Sequence, residues 1–287
     1  MSIVVTGATG QLGRLTVEAL LRRGVPAADI IATGRDASRI QDLADRGVTV
    51  RRADFADPDS LARAFAGADR LLLVSASVPV EGRVANHRRV IDAAVSAGVS
   101  LLAYTSTTHA DTATTVIGAT HGETEAYLRE RGVPNVLLRN GWYLENYTDR
   151  LPQILQDGAL VGAAGEGRIS AASRADYAEA AAVVLTTEGR TGAVYELGGD
   201  ESFTLAGLAA AVSAASGRQV AYTDLPVGEL SRVLAGAGLP VALAEVLADA
   251  DRGMNRGELY TDSGDLRRLL GRPPVTLTEA LATALRP

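Results

Sequence analysis

The N-terminal segment Thr6-Gly-Ala-Thr-Gly-Gln-Leu-Gly13 places three glycines between a short apolar run and a helical pattern. Backbone N–H groups bind phosphate oxygens at close range where the chain lacks a Cβ atom. A helix that begins at such a turn adds the partial positive charge of its N-terminus. The segment therefore predicts a pyrophosphate site, in which Gly7 makes the turn, Gly10 admits the ligand and Gly13 lets the helix pack against the strand. A tight turn that binds no ligand is the alternative.

The residue that ends the second apolar run discriminates between the two nicotinamide dinucleotides. An acidic side chain about 20 residues beyond the glycines suits a ribose 2′-hydroxyl, whereas arginine suits a 2′-phosphate. Here Arg35 precedes Asp36, and Arg39 follows one helical turn later. The planar fork of arginine matches phosphate geometry. The sequence therefore favours NADPH over NADH, against the alternative that both arginines only solvate a helix start.

Other candidate ligand residues follow later strands, at the edge where open α/β sheets bind ligands. Asp54 and Phe55 follow the third predicted strand, where an adenine ring is expected, and Ser75 and Ser77 follow the fourth, beside the nicotinamide ribose. Position alone supports these four, so an ordinary turn residue is the alternative at each. The full set predicted to bind the dinucleotide is Gly7, Thr9, Gly10, Gln11, Leu12, Gly13, Arg35, Arg39, Asp54, Phe55, Ser75, Ser77 and Asn140.

Short apolar runs alternate with helical segments through the first half of the chain. The predicted strands are residues 2–6, 30–33, 48–51, 70–74, 101–105 and 136–138. Most are continuously apolar, which is typical of strands covered on both faces. Left-handed residues are expected after the helices, at Gly24, Gly47, Gly98 and Gly132. The pattern predicts an α/β fold with a Rossmann-type, doubly wound parallel sheet and right-handed crossovers.

The pattern changes after Asn140, where prolines and glycines interrupt a loop-rich stretch. A helix over 178–185 and a strand over 194–197 then return to the earlier alternation. From residue 204 onward the chain reads as mainly helical, with prolines between the helices. We therefore assign 1–140, completed by 171–200, to a dinucleotide-binding domain. Residues 141–170 and 201–287 are expected to form a smaller, mainly helical substrate lobe.

Composition and charge exclude several function classes. A 47% hydrophobic, 22% charged composition is typical of a globular protein with a substantial core. The net charge of −6 argues against nucleic acid or an anionic membrane as a partner. The sequence has no cysteine, and its three histidines lack metal-ligand spacing, so no metal site is expected. Neither a signal-like N-terminus nor about 20 consecutive apolar residues occur, which predicts a cytoplasmic location.

The sequence around these motifs resembles the NmrA-like atypical short-chain dehydrogenase/reductases. The resemblance lies in the glycine motif, in Ala103-Tyr-Thr-Ser106 and in Leu138-Arg-Asn-Gly-Trp-Tyr143. Within that family the chain is most similar to the NAD(P)H:quinone oxidoreductase type 2 branch, with triphenylmethane dye reductases as close relatives. The segments that support this branch are His109-Ala-Asp111, Glu123-Thr-Glu125, Gly162-Ala-Ala-Gly165, Arg174-Ala-Asp-Tyr177, Gly238-Leu-Pro240 and Leu247-Ala-Asp249.

The expected reaction centre departs from that of ordinary short-chain dehydrogenases, which use a Tyr-x-x-x-Lys pair. Counting from Ser106, the tyrosine position falls on Ile117 and the lysine position on His121. Isoleucine cannot donate a proton, so ordinary alcohol–ketone chemistry is not expected. Quinone reduction leaves a phenolate, with a pKa of about 10, whereas a ketone leaves an alkoxide, at about 15.7. This difference, roughly 7–8 kcal/mol, reduces the need for a general acid.

His121 and Tyr143 are the catalytic candidates. His121, at the start of a predicted helix, can orient the nicotinamide ribose or relay a proton through a near-neutral pKa. Tyr143 and Trp142 offer rings against which a planar acceptor can stack, although the alternative is that they anchor the second lobe. Asn140 is placed to bind the carboxamide. His87 lies on an apolar helical face and is expected to be packed in the core.

Together these features predict an NADPH-dependent reductase that transfers hydride directly to a quinone, with neither flavin nor metal. One alternative is an NADP(H)-binding redox sensor that regulates a partner without turnover, as some NmrA-like proteins do. Another is a triphenylmethane dye reductase with a reshaped pocket. The expected partner is a quinone or similar planar acceptor, and the sequence leaves the oligomeric state open. The quinone-reductase-like segments of the C-terminal part favour an enzyme over a sensor.

Overall fold

Seven of the strands form one sheet, in the order β3-β2-β1-β4-β5-β6-β8. The strands of the chain are β1 (Ile3–Val5), β2 (Ile30–Gly34), β3 (Thr49–Arg52), β4 (Arg70–Leu73), β5 (Leu101–Thr107), β6 (Asn135–Asn140), β7 (Ala159–Gly162), β8 (Val194–Leu197) and β9 (Ala221–Asp224). β1 pairs in parallel with β2 and β4, β2 with β3, and β4 with β5. The predicted Rossmann-type sheet is confirmed. The strand order reverses between β1 and β4, where sheets of this kind bind ligands at the carboxyl ends of the strands.

Helices follow the strands as the apolar periodicity requires. They are α1 (Gln11–Arg22), α2 (Gln41–Asp45), α3 (Pro58–Phe65), α4 (Arg83–Ser96), α5 (Val116–Arg131), α6 (Glu145–Thr148), α7 (Leu151–Asp157), α8 (Arg174–Thr186), α9 (Leu205–Ser216), α10 (Val227–Gly236), α11 (Val241–Asn255), α12 (Asp265–Leu270) and α13 (Leu277–Ala284). The predicted helix 178–185 lies inside α8. Alanines make up much of the buried surface of α8, so α1 packs closely against it.

Glycines end the helix-to-strand connections as predicted. Gly24, Gly47 and Gly98 have φ of +82°, +87° and +73°, and Gly132 has φ of +63°. A side chain in this region is strained, which is why glycine is preferred there. The expectation of left-handed residues at these positions is confirmed.

The structure, a computed structural model, describes residues 1–76 and 80–286, which cluster into two units. The first unit comprises Met1–Thr107, Thr120–Arg139 and Arg174–Tyr195. The second comprises Thr108–Ala119, Asn140–Ser173 and Glu196–Pro287. Over the described ranges, no helix combines the length and apolar character that a bilayer span needs.

One core cluster of the first unit contains Leu71 and Leu102 of the sheet together with Phe65 of α3 and Ile91 of α4. Each of these four side chains is completely buried. Complete burial of a Leu, Ile or Phe side chain stabilises the fold by about 1.5–3 kcal/mol. This packing fixes where the strands end, and therefore where the loops that follow them begin.

The second unit contains a two-stranded parallel sheet of β7 and β9. The expectation that the chain is mainly helical beyond residue 204 is confirmed, although it did not include β9. Its four residues are mostly exposed, so no apolar alternation marks them, and their partner strand lies far away in sequence. A core cluster of this unit includes Tyr147, Ile169, Leu208 and Met254.

Candidate functional site

The glycine-rich turn joins β1 to α1 in the first unit. Gly7 has φ of +64°, and the N–H of Gly10 donates to the carbonyl oxygen of Gly7 at 2.9 Å. A Cβ on Gly13 would lie 2.4 Å from that carbonyl oxygen and 2.9 Å from the nitrogen of Ala8. Gly13 therefore lets α1 pack on the turn itself. Gly10 and Gln11 are exposed, whereas the side chain of Leu12 is buried, so Leu12 can offer a ligand only its backbone.

The turn reaches the end of β2 through Thr9. A Cβ on Gly34 would lie 2.4 Å from Cγ2 and 2.9 Å from Oγ1 of Thr9. Because Gly34 has no side chain, the Thr9 side chain can pack directly on the backbone of Gly34, which immediately precedes Arg35. Sequence reasoning did not single out Gly34, although a glycine at the end of an apolar strand signals such a close approach.

After β2, the acidic side chain of Asp36 forms local hydrogen bonds, whereas the side chains of Arg35 and Arg39 are exposed. Asp36 accepts hydrogen bonds from the Ser38 hydroxyl at 2.6 Å and the Ser38 N–H at 3.1 Å, and so caps the short 3₁₀ helix Ala37–Ile40. These bonds lower the pKa of Asp36. Arg35 and Arg39 are exposed. The carboxylate of Asp36 is therefore engaged by Ser38, and both arginines remain accessible to solvent.

The segment after β3 is stabilised by its own turn. The carboxylate of Asp54 accepts from the N–H of Ala56 at 3.0 Å, and the N–H of Asp54 donates to Ser60 Oγ at 3.0 Å. Phe55 is half-buried against the core of the first unit. Part of the Phe55 ring is therefore still available to a ligand.

Three side chains hold the backbone that follows β4. The N–H groups of residues 74, 75 and 76 donate to Thr6 Oγ1, Thr105 Oγ1 and His87 Nε2, each at 2.9 Å. Ser75 lies in this segment, and Ser77 lies outside the described residues. The carboxyl end of β4 is thus fixed by residues from β5, from α4 and from the glycine-rich segment. Sequence reasoning missed this role of Thr6 and Thr105.

Below that segment lies a buried polar cluster, which we call the Arg83 cluster: Arg83, His87, Tyr104, His121 and Thr124. Arg83 Nη2 lies 2.7 Å from His121 Nε2, and His121 Nδ1 lies 2.7 Å from the Tyr104 hydroxyl. Because a guanidinium only donates, Nε2 of His121 must accept. The neutral imidazole then carries its proton on Nδ1 and donates it to Tyr104.

His121 therefore differs from the expectation of a near-neutral pKa. Burial, and after it the charge of Arg83, hold its pKa well below 6.5. It also lies inside α5 rather than at its start, because the helix begins at Val116. Both expectations were wrong, since neither the burial nor the neighbouring cation is visible in the local sequence.

His87 is completely buried, which confirms the expectation of a core histidine. Its Nε2 accepts from the backbone, so its Nδ1 carries the proton and donates to Thr124 Oγ1, 3.0 Å away. Burial, with a contribution from the charge of Arg83, lowers its pKa to about 3. His87 is therefore a neutral hydrogen-bonding residue at physiological pH.

Ser106 belongs to a second buried group. Its hydroxyl donates to Glu125 Oε1 at 2.6 Å, and Arg139 forms a two-pronged ion pair with the same carboxylate at 3.0 and 2.7 Å. All three residues are buried. The serine from which the tyrosine and lysine positions were counted is thus bonded to a carboxylate.

Other predicted residues lie in the second unit. Asn140 is 5% exposed, and its side-chain oxygen Oδ1 has no hydrogen-bond partner among the residues the structure describes. Trp142 and Tyr143 are half-buried. Trp142 packs on the core cluster of the second unit, and Tyr143 forms a parallel bridge with Ala172. The remaining described candidates, His121 included, belong to the first unit.

Two acids of the second unit hold the segment that leads into α5. Glu258 accepts from the N–H groups of Thr114 and Thr115 at 3.1 and 3.3 Å. Asp249 accepts from the N–H of Val116 at 2.7 Å. These residues cap the helix that carries Ile117. Sequence reasoning missed the cap because its acceptors lie more than 130 positions away along the chain.

No group of three or more acidic or histidine side chains within the described ranges could hold a metal ion. The open parallel sheet and the glycine-rich turn between β1 and α1 are those of a Rossmann-type α/β protein. The chain matches the model of the NmrA-like family over residues 1–269 and belongs to that family. The expected family membership is confirmed.

Characterised relatives extend this similarity along the chain. The sequence is 46% identical to quinone oxidoreductase 2 of Escherichia coli (strain K12) over 280 residues, covering 98% of this chain and 97% of the relative. It is 29% identical to the NAD(P)H azoreductase of Xenophilus azovorans over 282 residues, covering 96% of each.

Solved structures show the same fold. The NADPH-dependent quinone oxidoreductase QOR2 of Escherichia coli, complexed with NADPH, superposes with a TM-score of 0.95 at 46% identity, over 99% of this chain and 100% of the other. The triphenylmethane reductase of Citrobacter sp., complexed with NADP(H), gives a TM-score of 0.93 at 36% identity, with the same coverage.

Proposed function

We propose that this protein is an NADPH-dependent reductase that transfers hydride directly to a quinone. The observation that carries the proposal is the cradle at Gly7, Gly10 and Gly13, which lies in the same unit as the exposed Arg35. The cradle suits a pyrophosphate, and the arginine suits a 2′-phosphate. Similarity to a quinone oxidoreductase that was solved with NADPH supports the same function.

We assign each part of bound NADPH to a different set of residues. We assign the pyrophosphate to the backbone of residues 7–13 and the 2′-phosphate to Arg35 and Arg39. Asp54 and Phe55 are assigned to the adenine, Ser75 and Ser77 to the nicotinamide ribose, and Asn140 to the carboxamide. Bound NADPH supplies a hydride, and the protein supplies position and electrostatic environment. Neither flavin nor metal has a role in this proposal.

Ordinary proton donation by a Tyr-x-x-x-Lys pair has no counterpart in this proposal. All 28 residues counted as Lys or Arg are arginine, and we assign the tyrosine position to Ile117. His121 has both ring nitrogens engaged, so we assign it an orienting role rather than that of a general acid. A quinone tolerates this arrangement because its reduced form is a weak base compared with an alkoxide.

The acceptor is proposed to be planar. Trp142 and Tyr143 follow β6 and are half-buried, so each ring keeps some surface for stacking. When an acceptor is held flat against the nicotinamide, most of the rate enhancement comes from the close approach and alignment of the two reacting rings. Tyr143 is therefore proposed to orient the acceptor.

A steady-state assay tests the proposal. Purified protein is mixed with NADPH or NADH and a series of quinones, with a cationic triphenylmethane dye as a further acceptor. We expect quinone-dependent oxidation that is faster with NADPH. If calorimetry detects NADPH binding but no acceptor is reduced, the redox-sensor alternative replaces the enzyme. Dye reduction without quinone reduction would identify a dye reductase.

A further inference from the structure

Arg83 is a cation inside the first unit. It is the first residue of α4, and it is 5% exposed. Removing a charged guanidinium from water costs several kcal/mol unless neighbouring groups compensate. Because arginine does not lose its proton when it is buried, Arg83 places a fixed positive charge inside the first unit.

The charge acts on the groups around it. Arg83 donates to His121, and its field contributes to lowering the pKa values of His87 and His121. The burial of Tyr104 raises the pKa of its hydroxyl, and the charge of Arg83 opposes that rise. Each of these directions is the one expected of a positive charge in a poorly screened environment.

The cluster is tied to the ligand edge of the sheet. His87, one helical turn after Arg83, accepts from the N–H of Ala76 at 2.9 Å. Ala76 belongs to the segment after β4, which is also bonded to Thr6 beside the glycine turn. Under the proposed function this segment lies beside the nicotinamide ribose. Hydride transfer requires the acceptor to contact the nicotinamide ring, so the acceptor must lie nearby as well.

We propose that Arg83 is the fixed positive charge that stabilises the oxyanion formed when hydride reaches the quinone, an inference that rests on the proposed function. The hydride carries both electrons of a C–H bond of NADPH, which becomes NADP⁺, and the quinone becomes the hydroquinone monoanion. Water then donates the one proton that converts this monoanion to the neutral hydroquinone, leaving hydroxide. Arg83 stays protonated throughout and acts through its field rather than by contact.

A comparison of Arg83→Gln with Arg83→Lys tests the charge. Gln removes the charge and keeps hydrogen-bonding capacity, whereas Lys keeps a charge as long as the pH stays below its pKa, which burial lowers. We expect Gln to lower kcat for quinones on the order of tenfold, a modest electrostatic effect at the dielectric typical of protein sites. Electron-rich quinones, whose reduced anions are more basic, should lose more than electron-poor ones. Lys should restore most of the rate, and the Kd of NADPH should change little.

A second readout does not depend on turnover. 4-Nitrophenol resembles the reduced acceptor, and its colour reports its ionisation. In the presence of NADP⁺, the wild-type protein should lower the pKa of the bound phenol more than Arg83→Gln does. Arg70→Gln is the matched control: Arg70 is a half-buried arginine of the first unit, but it begins β4 at the opposite edge and donates to Leu185 O at 2.7 Å. This control should leave the quinone series unchanged.

The outcomes separate the two proposals. If wild-type protein reduces no quinone, the proposed function fails. The nitrophenol titration then remains as the test of whether the charge of Arg83 stabilises a bound anion. Unchanged kcat and phenol ionisation in folded Arg83→Gln would overturn the role of Arg83. So would a faster rate with tighter NADP⁺ binding, because the charge would then lie closer to the nicotinamide than to the acceptor. If Arg83→Gln fails to fold, the phenol titration is made with Arg83→Met, which also removes the charge: a higher pKa of the bound phenol than in wild type supports the inference, and an unchanged pKa overturns it.

Discussion

A Cβ added to Gly13 would lie 2.4 Å from the carbonyl oxygen of Gly7. The nearest atom to a Cβ on Gly10 is the same oxygen, at 3.4 Å, and Gly10 is exposed with φ of −98°. Glycine is therefore needed at these two positions for different reasons. Gly13 is required for the helix to approach, whereas Gly10 is required only if a ligand approaches.

Gly13→Ala should destabilise the protein and remove NADPH binding. Overpacking of this kind costs about 1–3 kcal/mol, and the backbone contact leaves no flexible side chain to yield. Gly10→Ala should keep its stability within about 0.5 kcal/mol and still bind NADPH at least about tenfold more weakly. Urea unfolding and calorimetric titration measure the two effects. Normal NADPH affinity in Gly10→Ala would place the pyrophosphate elsewhere.

Arg35→Asp should separate the two coenzymes. A hydrogen bond to a charged group contributes about 1.5–3 kcal/mol, so the Kd of NADPH should rise about 10- to 100-fold. NADH lacks the 2′-phosphate and should lose far less. Fluorescence titration with both coenzymes gives the ratio.

The control for Arg35→Asp is Arg63→Asp, which makes the same charge change at another exposed arginine of the first unit, on α3. It should shift both coenzymes slightly and equally. Equal weakening of NADPH and NADH by Arg35→Asp would undo the assignment of the 2′-phosphate.

His87→Leu should loosen the segment after β4. The N–H of Ala76 loses its acceptor, and an unsatisfied buried group costs about 1–3 kcal/mol. His87→Gln offers an oxygen in a similar place and should recover much of the loss. Hydrogen exchange at the Ala76 amide reads the change directly. Equally slow exchange in wild type and His87→Leu would contradict the bond.

Asp251 should make the stability of the second unit depend on pH. Its Oδ2 accepts from the N–H of Ala163 at 2.8 Å, and burial, together with the charge of Asp224, raises its pKa from 3.8 to about 6. The folded state therefore binds the proton more tightly than the unfolded state does. Its contribution to the free energy of unfolding is full below about pH 4 and is lost as the pH rises towards 6.

Asp251→Asn keeps an oxygen for Ala163 and removes this titration. Relative to wild type, the variant should gain about 2–3 kcal/mol of stability between pH 4 and pH 7, since each unit of pKa shift corresponds to about 1.36 kcal/mol. Urea unfolding across that range measures the gain. The exposed Asp45→Asn serves as control and should run parallel to wild type. A pH-independent difference for Asp251→Asn would refute the raised pKa.

The sequence by itself determined the local features. An apolar run of three to seven residues specifies a strand through its own burial, and the observed bounds of the seven sheet strands lie close to those predicted. A position that needs a positive φ selects glycine locally, as at Gly7 and Gly24. For the same reason the glycine turn could be interpreted before any contact was known.

Only the tertiary structure decided which polar side chains meet. The pKa of His121 depends on Arg83, 38 positions away, and the cap of α5 depends on Asp249, 133 positions from Val116. Such partners leave no periodic trace in the sequence, because a hydrogen bond constrains two side chains but not the residues between them. Burial and charge at a site are properties of the folded surroundings, and they reassigned His121 from a proton relay to a fixed, neutral hydrogen-bonding residue.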